Sequence, residues 1–294
     1  MADGPSAEIP QGHGEKVAKQ VRILSLEERR AISESLGARG IFFGIYPVDG
    51  GRDTTRLDPF RDQIESVGLF AIAQVAEEMP IGNVSFGVFD APERAIPEYG
   101  IFGQAHGHEG DEPISRIEIA LDPESPHRET AMREELRKTI RHESPHDLLY
   151  EALGVDNITT LLDKVILEGL ATHYEIEGSD DEPPLYAKAL TTEQIPVLLA
   201  RAREEFASED IIRRDEWLHG SDAMNIPRSE EEKIPRWAGY ALGYYLVDQY
   251  LKAHPGQKAS TLYATPAEEF LRSYDAHPLA LTGKYPPLLA IMTV

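Results

Sequence analysis

The motif His142-Glu143-Ser144-Pro145-His146 constrains this chain more than any other stretch of its sequence. Two histidines four residues apart lie one turn above each other on an α-helix, close enough for both imidazoles to bind one metal ion. Glu143 would then lie beside the ion and accept a proton from a water molecule bound to it. A helix with this face has to pack where a third ligand can reach the same point.

A second predicted helix offers that third ligand in Glu168, at the edge of an apolar stripe. The stripe consists of Ile158, Leu161, Leu162, Val165, Gly169 and Thr172. A carboxylate in this position needs a metal, a cation or several hydrogen bonds, and a surface salt bridge is the alternative use. Gly169 costs about 1 kcal/mol relative to alanine inside a helix. We therefore expect it to let this helix lie close to the helix that carries the histidines.

Pro145 leaves two interpretations of the motif open. Proline inside a helix loses a backbone hydrogen bond and clashes with the carbonyl four residues earlier, at a cost of about 3 kcal/mol. Ser144-Pro145 also resembles a helix start, with serine as N-cap and proline at the first helical position. If a helix begins at Pro145, the two histidines need not converge. If a helix runs on from Ser125-Pro126, both histidines share one face with apolar neighbours, where hydrogen bonds could also satisfy them.

Composition excludes several classes of function. The net charge of −22 and the pI near 4.8 argue against nucleic acid or an anionic membrane as a partner. The absence of cysteine excludes disulfides, thiolate metal sites and thiol catalysis, so a metal site has to use histidines and carboxylates. The apolar stretch 67–76 is too short to cross a bilayer, and no signal peptide is visible in 1–16. These features predict a cytoplasmic protein.

The order of predicted elements divides the chain into three parts. Residues 1–16 read as a disordered acidic tail, 17–125 as an N-terminal α/β sub-domain, and 126–294 as a helical sub-domain that carries the metal site. In the α/β part, a capping box at Ser25 begins a short helix that ends near Gly37, and apolar spacing predicts a helix over 61–78. Strands are expected over 41–46, 83–90 and 116–122.

The other predicted elements follow from local signals. Alternation over 116–122 indicates a half-exposed strand at a sheet edge, where an extended peptide could pair. Residues 91–115 read as a loop, whose His106 and His108 are more typical of solvated side chains than of ligands. The helix that holds Glu168 is expected to begin at Asp156 or Asn157 and to end near Glu177. Further helices are predicted over 192–206 and 210–218, and from Pro235 and Pro266.

The three motifs together resemble the predicted zinc-dependent proteases of the gluzincin type, a family described as a domain of unknown function. In that family a helical HExxH is followed by a helix reading E-G-L-A and then by a Gly-Tyr-rich helix. This chain has His142-Glu143-x-x-His146, Glu168-Gly169-Leu170-Ala171 and Gly239-Tyr240-Ala241-Leu242-Gly243-Tyr244. The resemblance extends over roughly residues 40–275 in element order.

The resemblance implies an α+β, zincin-like fold: a small mixed or antiparallel sheet packed on the HExxH helix, followed by a mainly helical C-terminal half. It implies a zinc metallopeptidase that acts on a peptide or protein substrate, with Zn²⁺ held by His142, His146 and Glu168. Glu143 would be the general base. Tyr240 is our preferred donor to the oxyanion, with His173 and Tyr244 as other candidates. Pro145 departs from the motif of active members, so an inactive zincin-fold binding or regulatory protein is the alternative.

Overall fold

The computed structural model describes residues 22–46, 55–108, 113–153 and 158–276. The predicted tail and the predicted caps Asp156 and Asn157 lie outside these ranges. Within them the strands are β1 (Ile41–Ile45), β2 (Val84–Asp90), β3 (Ile101–Gly107) and β4 (Ser115–Leu121). The helices are α1 (Leu26–Gly37), α2 (Arg61–Glu78), α3 (Arg128–Thr130), α4 (Leu136–Leu153), α5 (Leu161–Ile176), α6 (Gln194–Arg203), α7 (Ile211–His219), α8 (Ala238–Ala253) and α9 (Ala267–Ala276). This confirms a mixed α+β chain.

The described strands form one small mixed sheet in the order β1-β2-β4-β3. β1 pairs with β2 and β2 with β4 in parallel, whereas β3 pairs with β4 antiparallel. α2 connects β1 to β2, as a parallel pair requires. Val84, Phe86 and Val88 of β2 are fully buried, because helices α2 and α4 pack against the sheet and against each other. α4, which carries the histidine motif, therefore contacts the sheet directly, at β3 and β4.

The two helices predicted in the first half of the chain, one from a capping box and one from apolar spacing, are confirmed. Ser25 and Glu28 form the predicted capping box, and α1 ends at Gly37. α2 covers the predicted residues, and its buried side chains include Ile64, Ile72 and Val75. The burial of these residues at helical spacing explains why the pattern was informative.

The prediction of a loop over 91–115 was wrong, because the segment contains β3. Its sequence, Ile-Phe-Gly-Gln-Ala-His-Gly, has two glycines and weak strand propensity. Pairing with β4 compensates, with a register shift between Ala105 and Gly107. The prediction that 116–122 is an edge strand was also wrong. β4 lies between β2 and β3, and β3 forms the edge.

The helix through the motif is continuous, with Pro145 in its interior. It is preceded by α3 and by a π-helical segment, Ala131–Glu135. The predicted start at Pro126 moves to Arg128, and Ser125 Oγ accepts a hydrogen bond from the backbone of His127 at 3.1 Å. Ser144 does not act as an N-cap. Its hydroxyl donates to the carbonyl of Ile140 at 2.7 Å, a bond that requires helix on its N-terminal side.

The helix that holds Glu168 begins later than expected. Its N-cap is Thr160, whose hydroxyl accepts from the backbone of Asp163 at 3.1 Å while the Asp163 carboxylate accepts from the backbone of Thr160 at 3.0 Å. This reciprocal pair fixes the first turn of α5. The sequence carries the signal, since threonine is followed three residues later by an acid.

Two glycines set the distance between α5 and α8. A Cβ added to Gly243 would lie 1.9 Å from the carbonyl oxygen of Val165, and one added to Gly169 would lie 2.3 Å from the carbonyl oxygen of Gly243. The prediction that Gly169 faces the histidine helix was therefore wrong, because it faces α8. Gly239 of α8 similarly lies against the backbone of Trp217, where an added Cβ would lie 3.1 Å from the Trp217 carbonyl oxygen.

No helix in the described ranges is both long enough and apolar enough to cross a membrane.

We expect Pro145→Ala to raise the free energy of unfolding by about 1–3 kcal/mol, because alanine restores a helical N–H and removes a ring clash. Denaturant unfolding followed by circular dichroism measures this. Pro126→Ala is the matched control, since it belongs to the same Ser-Pro-His triplet but lies exposed in a turn before α3. There we expect no gain. A loss of stability in Pro145→Ala would contradict a continuous helix.

We expect Gly243→Ala to lower the free energy of unfolding by at least ~2 kcal/mol, because the new methyl group meets backbone atoms that cannot rotate away. Gly37→Ala is the control. Gly37 is likewise a helical glycine, at the last position of α1, but a Cβ added there would have no neighbouring atom within 4 Å. The melting temperature should therefore fall in Gly243→Ala, whereas in Gly37→Ala it should rise or stay unchanged. Equal stability of Gly243→Ala and the parent would show that α5 and α8 are not in backbone contact.

Candidate metal centre

Three buried side chains from two helices converge on one point. His142 and His146 project from α4 and Glu168 from α5, and one ligand atom from each lies within 4.8 Å of the others. His142 Nε2 is 3.3 Å and His146 Nε2 is 3.6 Å from Glu168 Oε2. The predicted meeting of these three groups is confirmed. Their role as metal ligands stays a prediction.

The donor set fits a divalent transition metal. Bonds of about 2 Å in a tetrahedron place neighbouring ligand atoms about 3.3 Å apart, close to the two distances observed here. Two imidazoles and a carboxylate suit zinc and neighbouring metals better than Mg²⁺ or Ca²⁺, which prefer oxygen ligands. Glu143, Glu168 and Glu175 are all buried nearby. A divalent cation would therefore also offset negative charge that is shielded from water.

The orientation of the His142 ring is fixed by a contact at Nδ1, the nitrogen that faces away from the three converging ligand atoms. Its Nδ1 lies 3.2 Å from Glu175 Oε2, on the same α5 face as Glu168. The Tyr186 hydroxyl donates to the same Glu175 oxygen. A carboxylate on Nδ1 holds the proton there and leaves Nε2 with a free electron pair for a metal. This partner follows the pattern that metal-binding histidines ordinarily show.

Arg141 connects the motif helix to the end of α5. Its buried guanidinium donates to the carbonyls of Tyr174 at 3.1 Å and Glu177 at 3.0 Å, where α5 ends. It also donates to Glu78 of α2 at 2.9 Å. A cation at a helix C-terminus is favourable because the last carbonyls lack partners within the helix. The contact sets the register of α4 against α5, and therefore the distance from His142 to Glu168.

The titration of the cluster reflects its burial and its mutual contacts. Burial lowers the pKa of His142, but hydrogen bonds to Glu168 and Glu175 outweigh it and raise that pKa well above the usual histidine value. Burial raises the pKa of Glu168, but the two imidazoles outweigh it and hold that pKa far below the usual range. Protonated imidazole and ionised carboxylate therefore stabilise each other. A metal would supply the same positive charge to Glu168.

Glu143 bridges the motif helix and the sheet edge. Its Oε2 accepts a hydrogen bond from the backbone N–H of Ala105 in β3 at 3.0 Å. Gly103 in the same strand makes room, because an added Cβ would lie 2.6 Å from Glu143 Oε1. Burial raises the pKa of Glu143, while the neighbouring imidazoles pull it down less strongly. A raised pKa makes the carboxylate a better proton acceptor near neutral pH.

Of the three residues predicted as oxyanion donors, the structure brings Tyr240 to the cluster. Its ring lies 6.4 Å from that of His142, and burial together with the nearby carboxylates of Glu168 and Glu143 raises the pKa of its hydroxyl. His173 instead stacks on Tyr244 at 4.1 Å and contacts the Tyr244 carbonyl at 3.0 Å, in the contact between α5 and α8. His173 lies five residues after Glu168, about 140° around the helix, so it faces away from the cluster.

His106 and His108 do not join the cluster. His106 Nε2 lies 3.3 Å from Glu118, and His108 Nε2 lies 3.3 Å from Glu151. Within the described ranges neither belongs to a group of three ligating side chains. Each histidine therefore has a glutamate beside it, and neither is simply solvated.

Sequence reasoning missed Glu175 and Tyr186. Glu175 was detectable, because it lies seven residues after Glu168 and therefore two turns along the same helix face. Tyr186 comes from a short 3-10 segment, Tyr186–Lys188, in a proline-rich stretch. No periodic signal places that segment near α5. Its contribution depends on tertiary packing.

Taken together, an HExxH helix against a sheet edge and a carboxylate from the next helix define a candidate metal-dependent hydrolase centre. A family model described as "Predicted Zn-dependent protease (DUF2268)" matches residues 104–272, more than half of the chain. The chain belongs to this family. The match begins within β3, so it is shorter than the 40–275 expected from element order. No curated protein and no solved structure matched the chain.

We expect Glu175→Gln to weaken metal binding about 10–100-fold, because the neutral amide holds the Nδ1 proton of His142 less well. Competition with a chromophoric chelator measures the dissociation constant. Glu182→Gln removes the same charge from an exposed glutamate whose carboxylate pairs with Lys188, so it should leave affinity unchanged. Equal affinity in the parent and Glu175→Gln would contradict an Nε2-bound His142.

Proposed function

We propose that this protein is a zinc-dependent metallopeptidase with a zincin-like fold, which hydrolyses peptide bonds in peptide or protein substrates. The observation that carries the proposal is the convergence of His142, His146 and Glu168, with Glu143 beside them. Membership of a family of predicted Zn-dependent proteases supports it. A small sheet packed on the helix that carries the motif supports the zincin-like assignment.

His142, His146 and Glu168 would hold the zinc ion. When bound, zinc lowers the pKa of a coordinated water and polarises a carbonyl group that approaches it. Glu175 keeps the His142 ring in the tautomer that presents Nε2. Arg141 holds the two ligand-bearing helices in register through the end of α5.

Glu143 acts as the general base. Its Oε2 is anchored by the Ala105 N–H, so the carboxylate keeps one orientation while it takes up and releases a proton. It accepts the proton of the attacking water and then passes it to the leaving amine. Burial raises its pKa, which brings its basicity closer to what this transfer needs.

Tyr240 donates to the oxyanion that develops on the substrate carbonyl. Its ring lies beside the cluster, 6.4 Å from the ring of His142. Burial raises the pKa of Tyr240 well above the usual tyrosine value, so the hydroxyl stays protonated and can donate. Replacement by phenylalanine removes this donor and leaves the ring.

The second candidate is a zincin-fold binding or regulatory protein without peptidase activity. Pro145 inside α4 is the observation that motivates it, because a proline perturbs the helix between the two histidines. The convergence of both imidazoles on Glu168 weakens this motive, since the proline does not separate them. The two candidates differ in whether Glu143 transfers protons.

We expect Glu143→Gln to lower kcat/KM for peptide cleavage by about 10²–10⁴-fold while zinc stays bound, because the amide cannot accept a proton but keeps an acceptor for Ala105. A peptide-library cleavage assay with mass spectrometry measures activity, and elemental analysis measures zinc. His146→Ala should lose both zinc and activity. Equal cleavage by the parent and Glu143→Gln would end the peptidase proposal, and bound zinc without cleavage in either would favour the binding protein.

A further inference from the structure

Four partly exposed aromatic side chains form a connected group beside His142. The Tyr186 ring is the hub, with centroids 5.8 Å from His142, 5.3 Å from Tyr240, 6.2 Å from Trp237 and 6.1 Å from Tyr99. All of these ring contacts are edge-on. β3 also borders the cluster, through the bond between Ala105 and Glu143. We call Tyr99, Tyr186, Trp237 and Tyr240 the aromatic wall; two of them, Tyr186 and Tyr240, lie directly beside the His142 ring.

Trp237, in the aromatic wall, has a strained backbone. Its φ of 63° and ψ of 19° put a bulky residue in the left-handed region, immediately before α8. The other non-glycine residues with positive φ in the described ranges are Asn83 and Asn225. Asparagine tolerates this conformation, whereas a tryptophan there costs roughly 1–2 kcal/mol. Glycine would adopt it freely, so the position of the indole ring has to justify the strain.

The indole is held in a defined place. The Arg236 guanidinium lies 3.9 Å from its ring centroid, and Arg236 donates to Glu98 at 2.7 Å. The backbone carbonyl of Trp237 accepts the first hydrogen bond of α8, from Ala241 at 3.1 Å. Tyr240 follows one turn later on the same helix. The strained residue thus fixes an aromatic ring and a site residue together.

We propose that Trp237, with Tyr186 and Tyr240, forms an apolar subsite that selects substrates with an aromatic or large aliphatic side chain beside the scissile bond. The inference rests on the proposed peptidase function, and Trp237 is its specificity-determining residue. Sites that bind apolar groups combine aromatic side chains with a few polar groups, and here the rings of Tyr186 and Tyr240 lie beside the polar cluster at His142.

Charge favours an apolar occupant over a cationic or anionic one. The Arg236 guanidinium already lies over the Trp237 ring, so a second cation would meet like charge where it would otherwise be attracted. An anionic side chain would approach the buried carboxylates of Glu143, Glu168 and Glu175. An uncharged aromatic side chain meets neither repulsion, and it gains from edge-to-face contact with the rings.

A purely structural role for Trp237 would be to cover Tyr186, whose hydroxyl supports Glu175. The two roles differ in what they change. Loss of a cover would weaken metal binding and lower activity on all peptides together. Loss of a subsite would change the preference among peptides and leave zinc affinity unchanged.

The test is the binding of three amidated tripeptides, acetyl-Ala-Phe-Ala, acetyl-Ala-Ala-Ala and acetyl-Ala-Lys-Ala, with and without zinc. The chain has two tryptophans, and Trp217 is fully buried, so a saturable change in fluorescence on binding reports Trp237. We expect the Phe peptide to bind at least ~10-fold more tightly than the other two. The substitution Trp237→Gly relaxes the backbone. Calorimetry on this variant should show dissociation constants for the three peptides that lie within ~3-fold of one another. Trp237→Phe should keep most of it.

Three results would overturn the subsite. These are a Phe preference that survives in Trp237→Gly, tighter binding of the Lys peptide, or no saturable binding of the Phe peptide up to ~10 mM. A parallel loss of zinc affinity in Trp237→Gly would assign the ring to support of Tyr186 instead. If the parent cleaves peptides and Trp237→Gly cleaves them with the same preference, the subsite is wrong and the peptidase proposal stands. Selective binding without any cleavage removes the peptidase proposal, and with it the scissile bond, and leaves Trp237 only as a determinant of peptide binding.

Discussion

The contact between the Glu168 and Glu175 carboxylates of α5 and the His142 ring of α4 is the interaction on which the centre depends. Both carboxylates are buried, and each lies near a different nitrogen of the same imidazole. Buried charges that lose a partner typically destabilise a protein by several kcal/mol. The neighbouring elements therefore have to hold α4 and α5 within hydrogen-bonding distance. Any ion that binds here replaces a proton in an arrangement that already requires positive charge.

The position of α5 is fixed from two sides by different physical means. On one side, α8 contacts it through glycines that bring backbone against backbone. On the other, Arg141 of α4 binds the carbonyls at its C-terminal end. The contact with α8 is steric, because no side chain larger than that of glycine fits between the two backbones. The contact with Arg141 is polar and directional. Together they leave Glu168 little freedom to move relative to the imidazoles.

The sequence predicted the parts of the site that are encoded by local spacing. The four-residue interval between the histidines and the capping box at Ser25 both depend on a few adjacent residues. β3 was missed because glycine-rich strands gain their stability from the partner strand, and one of its glycines, Gly103, leaves room for Glu143. The direction of Gly169 was wrong because an apolar helix face does not say which neighbour it meets. Tyr186 depends on how a proline-rich segment folds back, and no local pattern records that.

The bond from Ala105 to Glu143 has a consequence for the free edge of the sheet. An edge strand presents unpaired backbone groups on which another chain can add a strand and start aggregation. One of these N–H groups in β3 is already occupied by a side chain from α4. Glu143 thus leaves one N–H group fewer on which a strand from a second copy could pair. In a Glu143→Ala variant, a loss of proton transfer could not be separated from an increase in aggregation. Glutamine still offers an acceptor to the Ala105 N–H, so it keeps that edge group paired.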